Sequence, residues 1–483
     1  MKLMKSSTGL YVLAVSFALA LSPAAFAQSS QILTKQYDTG GVYTGMFKDG
    51  LQHGQGVYVL PNGYEYDGEW VNGKIQGEGI AKFPNGSLYE GQFTAGKPQG
   101  LGKITFSDGG TYIGTWKNGT INGQGIARYA NGEVYDGGFE NANHHGAGVL
   151  TSENGYRYDG NWDVGEKTGK AAITYPDGAT YIGDVVNGLR HGTGRVVLAD
   201  GVTYEGEWAS GDITGTGLLV LSNGDSYQGA MVKGQKHGHG KQILASGDVY
   251  EGDFNNGLRD GSGALTRKDG YQYSGLWVAG KLQGAGKITY PNGSVFVGDL
   301  KNDLPDGSGK ITYEDGGTYE GDWVEGVIEG KGLAKFPNGT VYEGDFVQAR
   351  NHGQGKIVYP EGYSYTGTWV NGIRDGQGIA TFADGSIYDG MFKTGKRSGE
   401  GRLMTNDGFV YAGTWLAGQM HGTGQASYAN GDIYIGLFEN GKRSGRGAIT
   451  FAGGEVFDGM WKDGEPIIEP TPDAGSSTQQ PSD

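Results

Sequence analysis

The sequence predicts an all-β fold, an elongated and solenoid-like meander of about 19 stacked β-hairpins, and three observations lead to this prediction. Gly accounts for 96 of the 483 residues, whereas Pro accounts for only 13. Aromatic residues make up 12% of the chain, which is too many for a flexible glycine-rich linker. The third observation is a strict period of 23 residues. Turn residues at regular spacing between aromatic segments are typical of many short β-strands.

The period is marked by a tyrosine. From Tyr43 onward, Tyr or Phe recurs 19 times at steps of 23 residues, without an insertion or deletion, up to Phe457. With this residue numbered zero, glycine recurs at positions +2, +7, +11, +13 and +20, and these columns hold 88 of the 96 glycines. We expect the repeated positions to form the structural core of each unit, which in one unit consists of Tyr66, Gly68, Trp70, Gly77, Gly79 and Gly86.

Each unit is predicted to contain two strands. Tyr, Gly and then Trp or Phe at positions 0, +2 and +4 indicate a first strand with one buried face, because side chains alternate along a strand. Positions +13, +15 and +17 indicate a second strand, and a longer loop is expected from about +6 to +11. The pair at +19 and +20, as in Asn62-Gly63, predicts a tight type I′ turn. The glycines beside the rings are expected to let the backbone approach them.

The tryptophans are predicted to pack in the core. All nine occupy position +4, where they alternate with phenylalanine. Ala is frequent at +15 of the tryptophan units, as at Ala81 in the unit of Trp70, whereas six of the seven phenylalanine units carry Ile or Leu there. Such compensation of large by small side chains is typical of a packed core and not of an exposed binding row.

The two ends of the chain differ from the repeats. Residues 1–27 combine Lys2 and Lys5, an apolar stretch and Ala25-Phe26-Ala27, which predicts a bacterial-type signal peptide and a periplasmic or secreted protein. We expect an N-terminal capping half-repeat at 28–42, the array of 19 units at 43–464 and a disordered Pro/Ser/Thr tail at 465–483. After removal of the signal peptide, no segment is predicted to span a membrane as a helix.

Composition excludes several kinds of function. The chain has no cysteine, so thiolate metal sites and cysteine nucleophiles are excluded. A formal net charge of −15 argues against binding of nucleic acid. Nearly identical units offer no unique pocket, and no pair of carboxylates stands out as acid and base. We therefore expect no catalytic residue, no cofactor, no metal site and no enzymatic activity.

One unit reads Tyr66-Asp67-Gly68-Glu69-Trp70-Val71-Asn72-Gly73, followed by Gly77-Glu78-Gly79. This pattern resembles the MORN (membrane occupation and recognition nexus) repeat, and the resemblance covers residues 43–464. It implies a stack of β-hairpins that serves as an adaptor, an assembly module or a membrane-proximal module. MORN repeats often accompany enzymes without being enzymes themselves.

A candidate binding surface lies at positions +8 to +10, which we expect in the longer loops. These positions carry 13 Lys or Arg residues against six acidic residues, and six of the eight histidines occupy +10. For the histidines, a role in the turn is the main interpretation, and a metal site at a close pair such as His144 and His145 is the alternative. The predicted cationic ridge includes Arg190, His191, Lys236, His237, Lys396, Arg397, Lys442 and Arg443.

The leading hypothesis for function is an exported scaffold that binds protein partners in the cell envelope. Regular spacing of the units suits multivalent or filamentous partners. The alternative is that the cationic ridge binds anionic envelope ligands, either glycans or phospholipid headgroups. Self-association of the stack remains open.

Overall fold

A computed structural model describes residues 31–468, which form β-strands and turns only. The all-β prediction is therefore confirmed. The signal peptide predicted at 1–27 and the part of the predicted tail beyond 468 lie outside the described residues. The chain divides into an N-terminal unit that ends at Leu189 and a C-terminal unit that begins at Arg190.

Every full 23-residue repeat consists of a seven-residue strand followed by a nine-residue strand, in the N-terminal unit and in the C-terminal unit alike. The strands of the N-terminal unit are β1 (Leu33–Gln36), β2 (Val42–Lys48), β3 (Leu51–Val59), β4 (Glu65–Val71), β5 (Lys74–Lys82), β6 (Leu88–Thr94), β7 (Lys97–Thr105), β8 (Thr111–Lys117), β9 (Thr120–Arg128), β10 (Val134–Glu140), β11 (Asn143–Thr151), β12 (Arg157–Asp163), β13 (Glu166–Thr174) and β14 (Thr180–Val186).

The first residue of β15 ends the N-terminal unit, and the remaining strands belong to the C-terminal unit. They are β15 (Leu189–Val197), β16 (Thr203–Ala209), β17 (Asp212–Val220), β18 (Ser226–Val232), β19 (Gln235–Ile243), β20 (Val249–Asn255), β21 (Leu258–Thr266), β22 (Gln272–Val278), β23 (Lys281–Thr289), β24 (Val295–Lys301), β25 (Leu304–Thr312), β26 (Thr318–Val324), β27 (Val327–Lys335), β28 (Val341–Val347), β29 (Arg350–Val358), β30 (Ser364–Val370), β31 (Ile373–Thr381), β32 (Ile387–Lys393), β33 (Lys396–Met404), β34 (Val410–Leu416), β35 (Gln419–Ser427), β36 (Ile433–Glu439), β37 (Lys442–Thr450), β38 (Val456–Lys462) and β39 (Glu465–Pro466).

Within the N-terminal unit and within the C-terminal unit, successive strands pair antiparallel with a register that repeats from hairpin to hairpin. In the pair β4–β5, Tyr66 lies opposite Ala81 and Gly68 lies opposite Gly79. The register then shifts between Gly68 and Trp70, opposite the segment that contains Gly77. Gly77 has a φ of 78°, a conformation that glycine adopts without strain. Position +11 is therefore a β-bulge, which bends every hairpin at the same place.

The two kinds of turn are exchanged relative to the prediction. The tight turn lies at +6 and +7, where Asn72 and Gly73 both have positive φ values of 49° and 82°. At +19 and +20 only the glycine has positive φ, as in Gly63 at 91°, and the Gly63 N–H donates to Leu60 O at 3.0 Å. Asn62 instead accepts a hydrogen bond from the Tyr64 N–H at 3.0 Å. The expected loop at +6 to +11 is wrong, because β-structure resumes at +8.

The tyrosine of each unit lies flat across the glycines of its own hairpin. Tyr66 is 0% exposed, and a Cβ atom added to Gly68 or Gly79 would lie within 3.0 Å of its ring or hydroxyl. The Tyr66 hydroxyl donates to the backbone oxygen of Glu69 at 3.1 Å, which satisfies it in the buried site. The expectation that the +2 and +13 glycines admit the rings is confirmed.

The tryptophans pack in the core, as predicted, and are 3% to 7% exposed. Their neighbours differ from the prediction. The Trp70 indole N–H donates to Gly56 O of the preceding unit at 3.0 Å, and its ring lies 5.9 Å from that of Tyr58, the +15 residue of that unit. Ala81, in the unit of Trp70 itself, lies beside Tyr66 in the sheet. Each tryptophan therefore links two successive units.

Short strands close the described part of the array at both ends. At the beginning, β1 pairs with β2 and places Leu33 opposite Gly45. At the end, β39 pairs with β38 and places Pro466 opposite Trp461. Strand pairing thus includes the first two residues of the segment 465–483.

Candidate functional site

The residues of the predicted cationic ridge do not lie in loops. The second strand of each hairpin begins at +8, directly after the two-residue turn, so that β33 begins with Lys396 and β37 begins with Lys442. Adjacent residues of a strand point to opposite faces. Side chains at +9 therefore point to one face of the sheet, and those at +8 and +10 point to the other. The structure thus divides the predicted ridge between the two faces.

The arginines at +9 lie over the aromatic core. The Arg397 guanidinium carbon is 4.1 Å from the centre of the Trp415 ring, and the same group donates to Gly418 O at 2.8 Å. Arg190 and Arg443 make the same two contacts with the tryptophan and the glycine of the next unit. A cation on an aromatic face contributes on the order of 1 kcal/mol. These arginines therefore stabilise the stack by joining successive units.

Lys236 occupies the same position with a similar role. Its ammonium nitrogen lies 5.5 Å from the ring centre of Tyr227 and 5.7 Å from that of Phe254 in the next unit. Burial lowers the pKa of Lys236, and the neighbouring Arg259 lowers it further. The charge is thus partly withdrawn from solvent.

The other members of the predicted ridge lie at the turn or on the opposite face. Lys396 and Lys442 are exposed, and Lys442 lies 4.0 Å from Asp463, an exposed ion pair of little energetic weight. Nδ1 of His191 accepts a hydrogen bond from the Ser210 N–H at 3.4 Å. His237 contributes only its backbone oxygen, which accepts from the Tyr227 hydroxyl.

Position +10 has a structural role that the histidines share with other acceptors. His352 accepts from the N–H of the turn residue Asn371, as His191 does in its own unit. The carboxylates of Asp260 and Asp306 make the same contact in other units. The turn interpretation of the histidines is therefore supported. In residues 31–468 the structure contains no cluster of three or more His, Cys, Asp or Glu residues that could hold a metal ion.

The outer face of the sheet carries paired charges. Acidic residues at +1 lie opposite basic residues at +14 of neighbouring strands, as in Lys103–Glu90 at 3.4 Å and Lys310–Glu320 at 3.3 Å. Side chains in these pairs are about half exposed, so each pair contributes at most about 1 kcal/mol. This face is therefore a solvated surface.

A second row of aromatic rings lies at the +17 to +21 turns, on the face of the core. We call this row the aromatic ladder. In the N-terminal unit it consists of Tyr37, Tyr64, Phe83, Phe106, Tyr129, Tyr156 and Tyr175. In the C-terminal unit it consists of Tyr271, Tyr290, Tyr313, Phe336, Tyr359, Phe382, Phe409, Tyr428 and Phe451.

Except at the three turns that have Leu198, Leu221 and Leu244 at +17, each turn carries a ring at one or both of two positions. Where +17 is not aromatic, as at Ser152 and Thr405, the residue four positions later supplies the ring, as Tyr156 and Phe409 do. The two positions are the first and last residues of one hydrogen-bonded turn, with the Ser152 N–H donating to Tyr156 O. Sequence reasoning missed the ladder because it followed each column separately, although the exchange between two columns was visible.

Ladder rings are more exposed than core rings. Phe336 is 46% exposed and Tyr313 is 39% exposed, whereas Tyr319 of the core is 2% exposed. Packing alone does not account for large rings that keep so much surface in water. Recurrent exposed aromatic residues are typical of binding surfaces.

Side chains at +9 reach the ladder across the core face. The His144 ring stacks on Tyr135 with centres 3.6 Å apart, and its Nε2 lies 2.7 Å from the Tyr129 hydroxyl. The Lys167 ammonium donates to the Tyr156 hydroxyl at 2.9 Å. Burial lowers the pKa of His144 to about 4, so its imidazole is neutral at neutral pH. The core face is thus concave enough for side chains near the two opposite ends of the strands to meet.

We call the strip of the core face between the ladder and the +9 column the aromatic groove, and in some repeats contacts such as Lys167–Tyr156 bridge it. In the N-terminal unit it widens into a recess of about 340 Å³ lined by Tyr64, Phe83, Phe93 and Pro98, among others. Pro98 occupies +9 there, and its short side chain leaves open the space that Lys167 fills elsewhere. The aromatic groove is the candidate functional site.

These features define a class of protein: an antiparallel β-hairpin repeat whose hairpins join through rings laid on glycines and whose core face carries a row of partly exposed aromatic rings. The MORN repeat matches 18 consecutive segments of the chain, beginning at residues 43–63 and ending at residues 434–456. The chain belongs to the MORN repeat family. MORN repeats form a non-enzymatic family of scaffolds that commonly interact with proteins or membranes.

Solved structures show only distant similarity. The TCP domain of SAS-4 (dCPAP) from Drosophila melanogaster is 15% identical, with 42% of this chain and 90% of that chain covered and a TM-score of 0.20. The TCP10 domain of CPAP from Danio rerio is 16% identical, with coverage of 55% and 99% and a TM-score of 0.14. At these TM-scores the likenesses carry no conclusion about function.

No curated protein matches the chain. Within residues 31–468 the structure contains no helix that is long and apolar enough to cross a membrane.

Proposed function

We propose that this chain is an exported, non-enzymatic repeat scaffold that binds protein partners in the cell envelope through its aromatic groove. The observation that carries the proposal is the aromatic ladder, which presents a partly exposed ring at one turn after another. Aromatic side chains are enriched in the cores of protein interfaces, where they bury large areas with few rotatable bonds. A surface of this kind suits protein contact.

Repetition of the groove adds a second argument. From Tyr271 to Phe451 every turn of the ladder carries a ring, so that a long or repetitive partner can occupy several sites together. Linked contacts gain affinity because each later contact forms at high effective concentration. Weak individual contacts are therefore sufficient for a stable complex.

The proposal of export rests on the sequence of residues 1–27, with its charged start, its apolar stretch and the Ala25-Phe26-Ala27 cleavage pattern. The periplasm and the extracellular space are both compatible with this pattern. We expect the N-terminal peptide of the mature protein, recovered from fractionated cells, to begin at Gln28. Recovery of the chain from the cytoplasm with Met1 or Lys2 at its N-terminus would contradict export.

Binding of anionic glycans or phospholipid headgroups remains the alternative, with weaker support. Arg190, Arg397 and Arg443 already contact tryptophan rings and glycine oxygens, so an anion would have to compete with these contacts. Lys396 and Lys442 are exposed, but they lie at the turn outside the groove, and Lys442 already lies 4.0 Å from Asp463.

Photocrosslinking in intact cells tests the proposal. A crosslinking amino acid replaces Phe336 of the ladder in one variant and Val297 of the outer face, which is 53% exposed, in the control. We expect protein adducts from position 336 that survive high salt, and few from position 297. The proposal fails if position 336 yields only glycan or lipid adducts, or no adducts at all. A second control, Lys396→Glu with Lys442→Glu, should leave the protein adducts unchanged.

A further inference from the structure

Five consecutive rings of the ladder in the C-terminal unit are evenly spaced. Tyr290, Tyr313, Phe336, Tyr359 and Phe382 all occupy position +17, and we call them the aromatic run. Neighbouring members are two strands apart, which gives a spacing of about 9.6 Å. Elsewhere in the ladder no more than three consecutive turns carry the ring at +17.

The hydroxyl groups of the aromatic run are available to a ligand. The core residue Tyr319 donates to Asp322 O at 3.1 Å. By contrast, the structure gives the hydroxyls of Tyr290, Tyr313 and Tyr359 no hydrogen-bond partner among residues 31–468. Burial raises the pKa of Tyr290 and Tyr313, so that these phenols stay protonated and can donate. The run thus offers a donor beside several of its rings.

The opposite side of the groove is uncharged along the first part of the run. The contact between Tyr129 and His144 shows that the +9 residue of a unit faces the ladder ring of the turn before it. The same columns place Pro305, Ile328 and Asn351 opposite Tyr290, Tyr313 and Phe336. An anionic ligand therefore finds no counter-charge among these three +9 residues.

The ends of the rings face open space. A recess of about 510 Å³ adjoins Tyr313 and is also lined by Asn292, Ser294, Glu314 and Asp315. Backbone turns on either side of the ring form its walls. A side chain of a bound peptide therefore has room between Tyr313 and the turn of the preceding unit.

We propose that the aromatic run binds a proline-rich peptide in the polyproline II conformation, with one turn of the peptide for each repeat. A polyproline II helix has three residues per turn and advances about 9.3 Å in each turn. This advance matches the spacing of about 9.6 Å between rings of the run. The mismatch adds up to only about 1 Å over the four intervals between the five rings.

The chemistry of the groove also fits this ligand. Proline rings pack on aromatic side chains, and polyproline II peptides bind grooves lined with such residues. A polyproline II backbone leaves its carbonyl oxygens without internal partners, so the free phenols of the run can donate to them. The peptide is ordered before it binds, which reduces the entropy lost in the complex. This inference rests on the proposed function, because it names the class of protein segment that the scaffold takes.

A length series of peptides tests the period. Fluorescence anisotropy measures binding of (Pro-Pro-Ala)n peptides of about 9, 12, 15 and 18 residues to the mature protein. We expect affinity to rise with each added triplet up to about 15 residues, the length that spans five rings, and then to level off. Peptides of the same length made of Gly and Ser should bind at least about tenfold more weakly. No binding of any proline peptide, or affinity without this dependence on length, overturns the inference.

Matched variants test the residues. Phe336→Ala is expected to weaken binding of the longest peptide by about tenfold or more. Tyr313→Phe keeps the ring and removes only the hydroxyl, and should weaken binding several-fold. Val297→Ala on the outer face and Leu221→Ala at a turn outside the run should change affinity less than twofold, or about 0.4 kcal/mol. Equal effects of all four substitutions would overturn the assignment to the aromatic run.

The crosslinking experiment described above separates the two proposals. Adducts from position 336 to proline-rich protein segments support both. Adducts from position 336 to protein segments without a proline repeat overturn the present inference and leave the scaffold in place. Adducts to glycan alone overturn both.

Discussion

Two segments of the C-terminal unit have the same backbone and different grooves. The leucine segment has Leu198, Leu221 and Leu244 at position +17, where the aromatic run has tyrosine or phenylalanine. Strand lengths and bulges agree in the two segments. The turns agree as well, since the Leu221 N–H and the Phe336 N–H each donate to the backbone oxygen four residues later at 2.8 Å.

The difference shows which positions maintain the repeat and which are free to vary. Columns 0, +2 and +13 are occupied in the same way in both segments, because the buried ring must lie on two glycines. Column +17 changes from leucine to aromatic without changing the turn beneath it. In the leucine segment, moreover, +9 carries Lys236 and Arg259 where the start of the run has Pro305 and Ile328. The shared columns therefore maintain the repeat, and +17 and +9 are the columns that distinguish the two segments.

The largest expected effect is loss of a core tyrosine, which should be equal in both segments. Tyr227→Ala in the leucine segment and Tyr319→Ala beside the run each remove a ring that is at most 2% exposed. We expect each to lower the free energy of unfolding by about 3–5 kcal/mol, measured by urea denaturation. A difference above about 1 kcal/mol between the two variants would show that the core is not packed in the same way in the two segments.

Glycine at +13 should be next in importance. Alanine at Gly217 would place its Cβ within 3.0 Å of the Tyr204 ring, and alanine at Gly332 would do the same to Tyr319. Each substitution should cost about 1–3 kcal/mol, because the ring has no room to move in the sheet. Gly453→Ala is the control, since no atom lies within 4 Å of its added Cβ. Thermal unfolding of the three variants measures the effect, and an equal loss for the control would contradict it.

The arginines at +9 should have a smaller effect that does not depend on salt. Arg397→Met removes the contact with Trp415 and the hydrogen bond to Gly418 O, and should cost about 1–2 kcal/mol. Lys396→Met, one residue away and exposed, should cost less than about 0.5 kcal/mol. Denaturation at low and high salt checks both values. If Lys396→Met lowered the free energy of unfolding more than Arg397→Met, the assigned roles of the two residues would be wrong.

Much of the fold could be predicted because its rules repeat at fixed spacing. Period, strand number and the packing of rings on glycines all follow from columns that one sequence displays 19 times. The turns were exchanged because Asn-Gly occurs at both ends of the hairpin, as in Asn62-Gly63 and Asn72-Gly73. Only strand pairing reveals which of the two asparagines has positive φ.

The candidate site was harder to predict for a different physical reason. Position +8 and position +9 are adjacent in sequence, so Lys396 and Arg397 looked like one basic surface. A strand separates them, and the concave face turns Arg397 towards a tryptophan of the next unit. Likewise, the ladder uses positions +17 and +21, which come together only when the hydrogen-bonded turn between them forms. Contacts of this kind arise between units and leave no fixed spacing within one unit.

The smallest effect on stability, with the largest consequence for binding, should come from exchanging the residue at +17 between the two segments. Phe336→Leu and Leu221→Phe each replace one partly exposed apolar side chain by another, so unfolding should change by less than about 0.5 kcal/mol. Phe336→Leu interrupts the even spacing of the run and should reduce binding of a long proline-rich peptide by about tenfold. Leu221→Phe should leave that binding unchanged, because the new ring has Leu198 and Leu244 as neighbours at +17 and stands opposite Lys236. Anisotropy titration of both variants measures this asymmetry. If Leu221→Phe strengthened binding as much as Phe336→Leu weakened it, a single exposed ring would be enough for recognition, and the regular spacing of the run would have no role in it.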